Sequence, residues 1–214
     1  MVNKNNKPLV KRILEIAYKY KLSHLSSYFS SIDIIDNIYK NKNEKDIFIL
    51  SNGHAALALY VIIEKYLKIN AEELFLKHGG HPHLDPLNDI HCSTGSLGMG
   101  ITVAVGRALA NQHKKIHCLI SDGECAEGSI WESLRVIKEK KISNIEVHCN
   151  CNGYAAYDPV DAEYLKNRLF SFLPSIKFHQ TNGNFFPFIK DLNGHYHIMS
   201  QADYEKSLEI LETI

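Results

Sequence analysis

A chain of 214 residues is long enough for one well-packed core, or two small ones at most. Lys+Arg and Asp+Glu balance at 24 each, so charge gives no reason to expect nucleic acid or an anionic membrane as partner. The N-terminal stretch MVNKNNKPLVKR lacks the apolar centre of a signal peptide, and no run approaches the roughly 20 apolar residues that span a bilayer. Five cysteines (Cys92, Cys118, Cys125, Cys149, Cys151) form no CxxC pair, so they read as reduced, mostly buried thiols of a cytoplasmic protein.

Apolar residues at helical spacing predict a helix over 9–20, and a second over 31–39 with Ser31 or Asp33 near its cap. Residues 46–50 form a short apolar run stopped by Ser-Asn-Gly, the pattern of a buried strand. Residues 55–67 are apolar nearly all round, which predicts a buried helix. Residues 78–94 are rich in Gly, His, Pro and Asp without periodicity, and a loop of that length tends to be functional. A helix is expected over 96–112, beginning on three glycines.

The clearest unit follows. Strand 115–120, turn Ser121-Asp-Gly, helix 129–141, strand 144–149 and turn Asn150-Cys-Asn-Gly make a βαβ crossover. Beyond Pro159 the pattern predicts a helix over 162–172, a strand over 175–180 and a closing helix over 201–213. One α/β domain spanning 1–214 is expected, a parallel sheet with helices on both faces in three layers.

In a parallel sheet all strands open their carboxyl ends on one edge, where ligands bind. The crossover therefore brings Asp122 and Asn152 side by side. A carboxylate and an amide oxygen suit a hard cation such as Mg²⁺, which completes its octahedron with phosphate oxygens and water. Gly123 lets backbone approach a phosphate at a helix start. SDG and NG also suit ordinary turns. The GxxGxG order at Gly95, Gly98 and Gly100 is a poor dinucleotide fingerprint, because its spacing is reversed and no convincing strand precedes it.

The Asp122-Gly…Asn152-Gly pairing resembles the thiamine-diphosphate motif, and further segments resemble transketolases. Ser51-Asn-Gly-His54 resembles the family's SxGH segment, Gly80-His-Pro82 its GHP loop, and Ser93-Thr-Gly-Ser-Leu-Gly-Met-Gly100 its TGSLGQG loop. The stretch from Asp122 to Glu132 is close to DGExxEGxxWE, and 186–196 resembles the segment that delivers the last active-site histidine. The likeness runs in order from residue 9 to 208.

It implies that Asp122, the Asn152 side chain and the Tyr154 carbonyl bind Mg²⁺. His54, Gly123 and Glu124 belong to the cofactor-binding stretches, and Gly95, Ser96, Leu97 and Gly98 would lie against thiamine diphosphate through backbone atoms. His24, His54, His81 and His195 would ring the reacting carbon and move protons, work that imidazole suits because it titrates near neutral pH. Here Ser23 stands where the family has Gly before the first of these, and His197 competes with His195. Glu127 and Glu132 fall at the family's subunit interface, although an acidic first helical turn also explains them.

The family's pyrimidine-binding domain, with its catalytic glutamate and phosphate-gripping arginines, has no counterpart here. Arg12, Arg107, Arg135 and Arg168 all lie in helical patterns. The resemblance therefore implies a split enzyme, with that domain on a second subunit, most simply in an α₂β₂ assembly. Such an enzyme would transfer a two-carbon ketol unit from a ketose (phosphate) donor to an aldehyde acceptor. Alternatives are thiamine-dependent decarboxylation with acyl transfer from a 2-oxo acid to a sugar, and an inactive regulatory relative. The stretch between Tyr154 and Phe186 is shorter than the family's, which bears on substrate identity.

Overall fold

The computed structural model describes residues 6–155, 158–182, 184–190 and 192–213. Its frame is a four-stranded sheet, β1 (Ile47–Leu50), β2 (Ile116–Ser121), β3 (Ile145–Cys151) and β4 (Lys177–Gln180), in that spatial order. All three pairings are parallel, so each junction needs a crossover, and helices supply it.

Side-chain alternation sorts the strands between two cores. Phe48, Leu50 and Leu119 pack into one with α1 (Lys7–Lys19), α2 (Leu25–Asn41) and α3 (Ala56–Leu67). Ile49, Ile116, Cys118, Ile120, Val147 and Cys149 pack into the other with α5 (Met99–Ala110), α6 (Gly128–Glu139) and α7 (Ala162–Phe172). Helices thus cover both sheet faces, the expected three layers. At the chain's end α8 (Asn193–Tyr196) and α9 (Gln201–Thr213) return to the first core, where Tyr204 stacks on Tyr18 at 4.5 Å. All five cysteines are free and buried. Among the described residues no helix is long and apolar enough to cross a membrane.

Two helices depart from the sequence expectation. α2 starts at Leu25, well before residue 31, because serines that look like loop composition find partners on β3. Asn150 Nδ2 donates to Ser30 Oγ at 2.9 Å and Ser31 Oγ at 3.1 Å, so both hydroxyls are buried without penalty. The other is α4 (Ala71–His78), which the sequence pattern does not predict. Its eight residues show too little periodicity, and its start is fixed by Asn70, whose side chain caps the Glu72 and Glu73 N–H groups. The other boundaries shift by a few residues: α5 ends at Ala110 and β3 runs on to Cys151.

Candidate functional site

β1, β2 and β3 end on one edge, and their exits, Ser51-Asn-Gly-His54, Asp122-Gly123 and Asn152-Gly-Tyr154, converge there. With α2's first turn and α8 they enclose a cavity of about 210 Å³. His24, His54, His81, His195, Gly95, Leu97, Asp122, Gly123, Asn152 and Tyr154 all line it. Residues spread over 172 positions of sequence meet here because parallel strands share an open end.

Three imidazoles form a triangle. Ring centroids are 4.2 Å apart for His24–His195, 5.5 Å for His24–His54 and 5.8 Å for His54–His195. His24 is held in the left-handed region at φ 64°, with its N–H donating to the His195 carbonyl at 2.9 Å and its Nδ1 3.0 Å from the same oxygen. That link ties the start of α2 to α8. His81 joins from the loop after α4, its ring packed beside Gly95. Burial pushes His54 down to about 3 and His195 to about 4, helped by the neighbouring rings, and also lowers His24. At neutral pH these three are uncharged imidazoles, each able to donate at one nitrogen and accept at the other.

Asp122, 3 % exposed, lines the same cavity. Its carboxylate accepts from the Gly123 N–H at 3.0 Å and the Gly153 N–H at 2.8 Å, which joins the β2 and β3 turns. Burial nonetheless raises its pKa to about 6, the backbone N–H groups only partly offsetting that. No lysine or arginine lines the cavity among the described residues. Beside it, Asn152 Oδ1 accepts from the Tyr154 N–H at 3.1 Å.

Sequence reasoning misses Asn52, which is the variable position of the SxGH segment. It is 1 % exposed and lines the cavity, yet both atoms of its amide lack a hydrogen-bond partner. An unpaired buried amide costs about 1–3 kcal/mol, so its placement makes sense as part of a ligand site.

Glu124 lies outside the cavity lining. Its carboxylate is fully buried beneath the glycine loop, accepting from Ser51 Oγ at 2.7 Å, the Gly98 N–H at 2.8 Å and the Ser121 N–H at 3.1 Å. Burial raises its pKa to about 7 against those three donors. Glu124 therefore clamps the exits of β1 and β2 to the loop. Ser96 and Gly98 are also outside the lining. Ser96 is exposed, and Gly98 is buried at φ +75° where an added Cβ would sit 2.3 Å from Ser129 Oγ. Gly98→Ala is expected to destabilise the protein by about 1–3 kcal/mol, read from the urea midpoint, since it meets both strain and overlap. Glu127 and Glu132 are exposed at the start of α6, Glu127 as its N-cap residue with no side-chain cap bond.

A family model described as transketolase, thiamine diphosphate binding domain, matches residues 24–152. The chain belongs to that family. The matched stretch opens on His24 and closes on Asn152, so His195 joins the site by geometry from outside it. The chain is 32 % identical over 155 residues to one subunit of the apulose-4-phosphate transketolase of Phocaeicola vulgatus, covering 63 % of this chain and 55 % of that protein. To Homo sapiens transketolase it is 32 % identical over 142 residues, covering 59 % of this chain and 22 % of that one. It thus spans at most about half the length of these relatives. Among solved structures, transketolase from Leishmania mexicana overlays with a TM-score of 0.63 at 17 % identity, over 100 % of this chain and 35 % of that chain, a likeness of fold.

Proposed function

We propose that this chain is the diphosphate-binding subunit of a thiamine-diphosphate- and Mg²⁺-dependent transketolase, transferring a two-carbon ketol unit between sugars with a second subunit. The observation that carries this reading is one cavity lined by three mutually packed neutral imidazoles and a buried carboxylate, with no lysine or arginine among its described lining residues. The residues present fit the group. Asp122 gains the cation its burial calls for, and the Asn52 amide gains a partner.

Asp122, the Asn152 side chain and the Tyr154 carbonyl would hold Mg²⁺, an all-oxygen set of the hard kind that ion prefers. Gly123 and the Gly95–Leu97 backbone offer close approach to a diphosphate, with Glu124 fixing the loop from below. Bound thiamine diphosphate supplies the electron sink for breaking and making the ketol carbon–carbon bond. His24, His54, His81 and His195 would hold sugar hydroxyls and carry protons to and from them, the neutral ring serving as donor and acceptor at once.

A second subunit is supported by the lining itself and by the apulose-4-phosphate transketolase relatives, which are named as subunits. Among the described residues the cavity's one carboxylate is Asp122, already engaged at the metal position, so the glutamate that drives cofactor activation would come from the partner. Glu127 and Glu132, exposed beside the site, are the proposed contact carboxylates, with α₂β₂ as the assembly. Five free buried thiols suit a reducing cytoplasmic setting.

The test is ketol transfer from a ketose phosphate to an aldehyde, assayed with the two subunits separately and together. Activity is expected only in the mixture; robust turnover by the 214-residue chain alone would sink the split reading. His54→Asn in the mixture should lower kcat by about 100-fold, the scale of a lost proton-transfer group.

Metal loading should also follow pH. Asp122 must be ionised to hold Mg²⁺, and burial sets its free-protein pKa at about 6. Affinity for Mg²⁺ with thiamine diphosphate is therefore expected to be level above that pH and to weaken about 10-fold per unit below it, measured by calorimetry. A flat profile down to about pH 5 would contradict the assignment.

A further inference from the structure

At the far end of the sheet from the cavity, its α2-covered face carries a cluster that takes no part in the proposed ketol transfer. His117 on β2 pairs in register with Glu146 on β3, and His148 follows two residues later on the same face. His148 Nε2 lies 2.9 Å from Glu146 Oε1, and His117 Nδ1 lies 3.6 Å from that same oxygen. One ligand atom from each residue lies within 4.8 Å of the others. Donors on a common tetrahedral metal at about 2.0–2.1 Å stand roughly 3.3 Å apart, so modest rotamer adjustment closes the set.

The independent sign of a ligand is His117. It is 5 % exposed, and neither ring nitrogen has a hydrogen-bond partner. A buried imidazole with two idle nitrogens is costly and uncommon, and one of these faces the Glu146 carboxylate. Each ring also has a polar side chain behind it of the kind that orients metal-bound histidines, within hydrogen-bond distance at His148 and short of it at His117. Behind His117, Nε2 has the Asp46 carboxylate at 3.9 Å, and behind His148, Nδ1 has His179 Nε2 at 3.0 Å. The second oxygen of Glu146 is held by Lys115 Nζ at 3.0 Å, while the first faces both rings.

We propose that His117, Glu146 and His148 form a binding site for a divalent transition metal of the zinc class, separate from the Mg²⁺ position. Two imidazoles and one carboxylate select such an ion over Mg²⁺, which prefers oxygen alone. The two positions lie along one strand direction about 13 Å apart, counting four residues from His148 on β3 to Asn152 just beyond it. Asp46 and His179 act from behind, orienting the two rings.

The test uses the chelator-stripped chain titrated with Co²⁺ alone, read by its visible ligand-field bands, with Zn²⁺ as competitor. One equivalent of Co²⁺ is expected to give the bands, and Zn²⁺ to remove them. His117→Gln and His148→Gln should abolish them; where either fails to fold, the partly exposed and isosteric Glu146→Gln takes its place. Asp46→Asn and His179→Gln should weaken Co²⁺ by about 10- to 100-fold. Asp122→Asn should leave the bands intact. Absence of bands in the unsubstituted chain, their survival in the ligand variants, or their loss in Asp122→Asn would each overturn the proposal.

Discussion

Asp122→Asn is expected to abolish Mg²⁺-dependent stabilisation by thiamine diphosphate and to flatten the pH dependence of stability of the unloaded chain. Ligand present at about 100 times its dissociation constant stabilises a protein by about 2.7 kcal/mol, and the variant should show none of this at the same concentration. The second effect follows from burial. Asp122 ionises at about 6 in the folded chain against an ordinary 3.8, so folding favours its protonated form. Its contribution to stability is fully present below pH 3.8 and is lost as pH rises through about 6. The difference amounts to roughly 3 kcal/mol between those limits. Urea denaturation of the unloaded chain at about pH 4 and about pH 7 measures it. Equal slopes with pH in both proteins would show that Asp122 is not a carboxylate destabilised by burial.

Glu124→Ala should be the most damaging single change near the site, although its side chain is absent from the cavity lining. It strands three donors, Ser51 Oγ, the Gly98 N–H and the Ser121 N–H, in fully buried surroundings. Each unsatisfied donor costs about 1–3 kcal/mol, and solvent entering the gap recovers part, so a loss of about 3–5 kcal/mol is expected. The second consequence is local. With its anchor gone, the Gly98 amide should exchange with solvent far faster than in the parent chain, and cofactor affinity should fall with it. Glu124→Gln keeps the volume but turns one acceptor into a donor, so it should lie between the two. A denaturation midpoint for Glu124→Ala within about 1 kcal/mol of the parent would rule out the clamp.

Both predictions concern one turn, and they show where the sequence was sufficient. The βαβ unit, the loop character of 78–94 and the glycine-led helix were all legible, because periods of 2 and 3.6 and breaker residues are local signals. The meeting of Asp122 with Asn152 was legible too, since parallel strands must end on a common edge. α4 was not, because eight residues hold too little periodicity and a single Asn cap defines them. Neither was the early start of α2, whose serines favour helix only because Asn150 reaches them from β3.

By itself, then, the sequence determined the family, the layer architecture, the turns that line the cavity and the histidines that share it. The tertiary structure alone decided which way side chains within those turns point. Directly after Asp122 the chain enters a tight turn over Gly123–Ala126, and that rotation buries Glu124 under the loop rather than in the site. Asn52 reads as filler between Ser51 and Gly53, yet its amide stands buried and unpaired in the cavity. His117, Glu146 and His148 form no motif, because strand register brings them together and register is fixed by pairing across the sheet. Local periodicity decides where an element lies; the direction of a side chain and the company it keeps depend on contacts made far away in the chain.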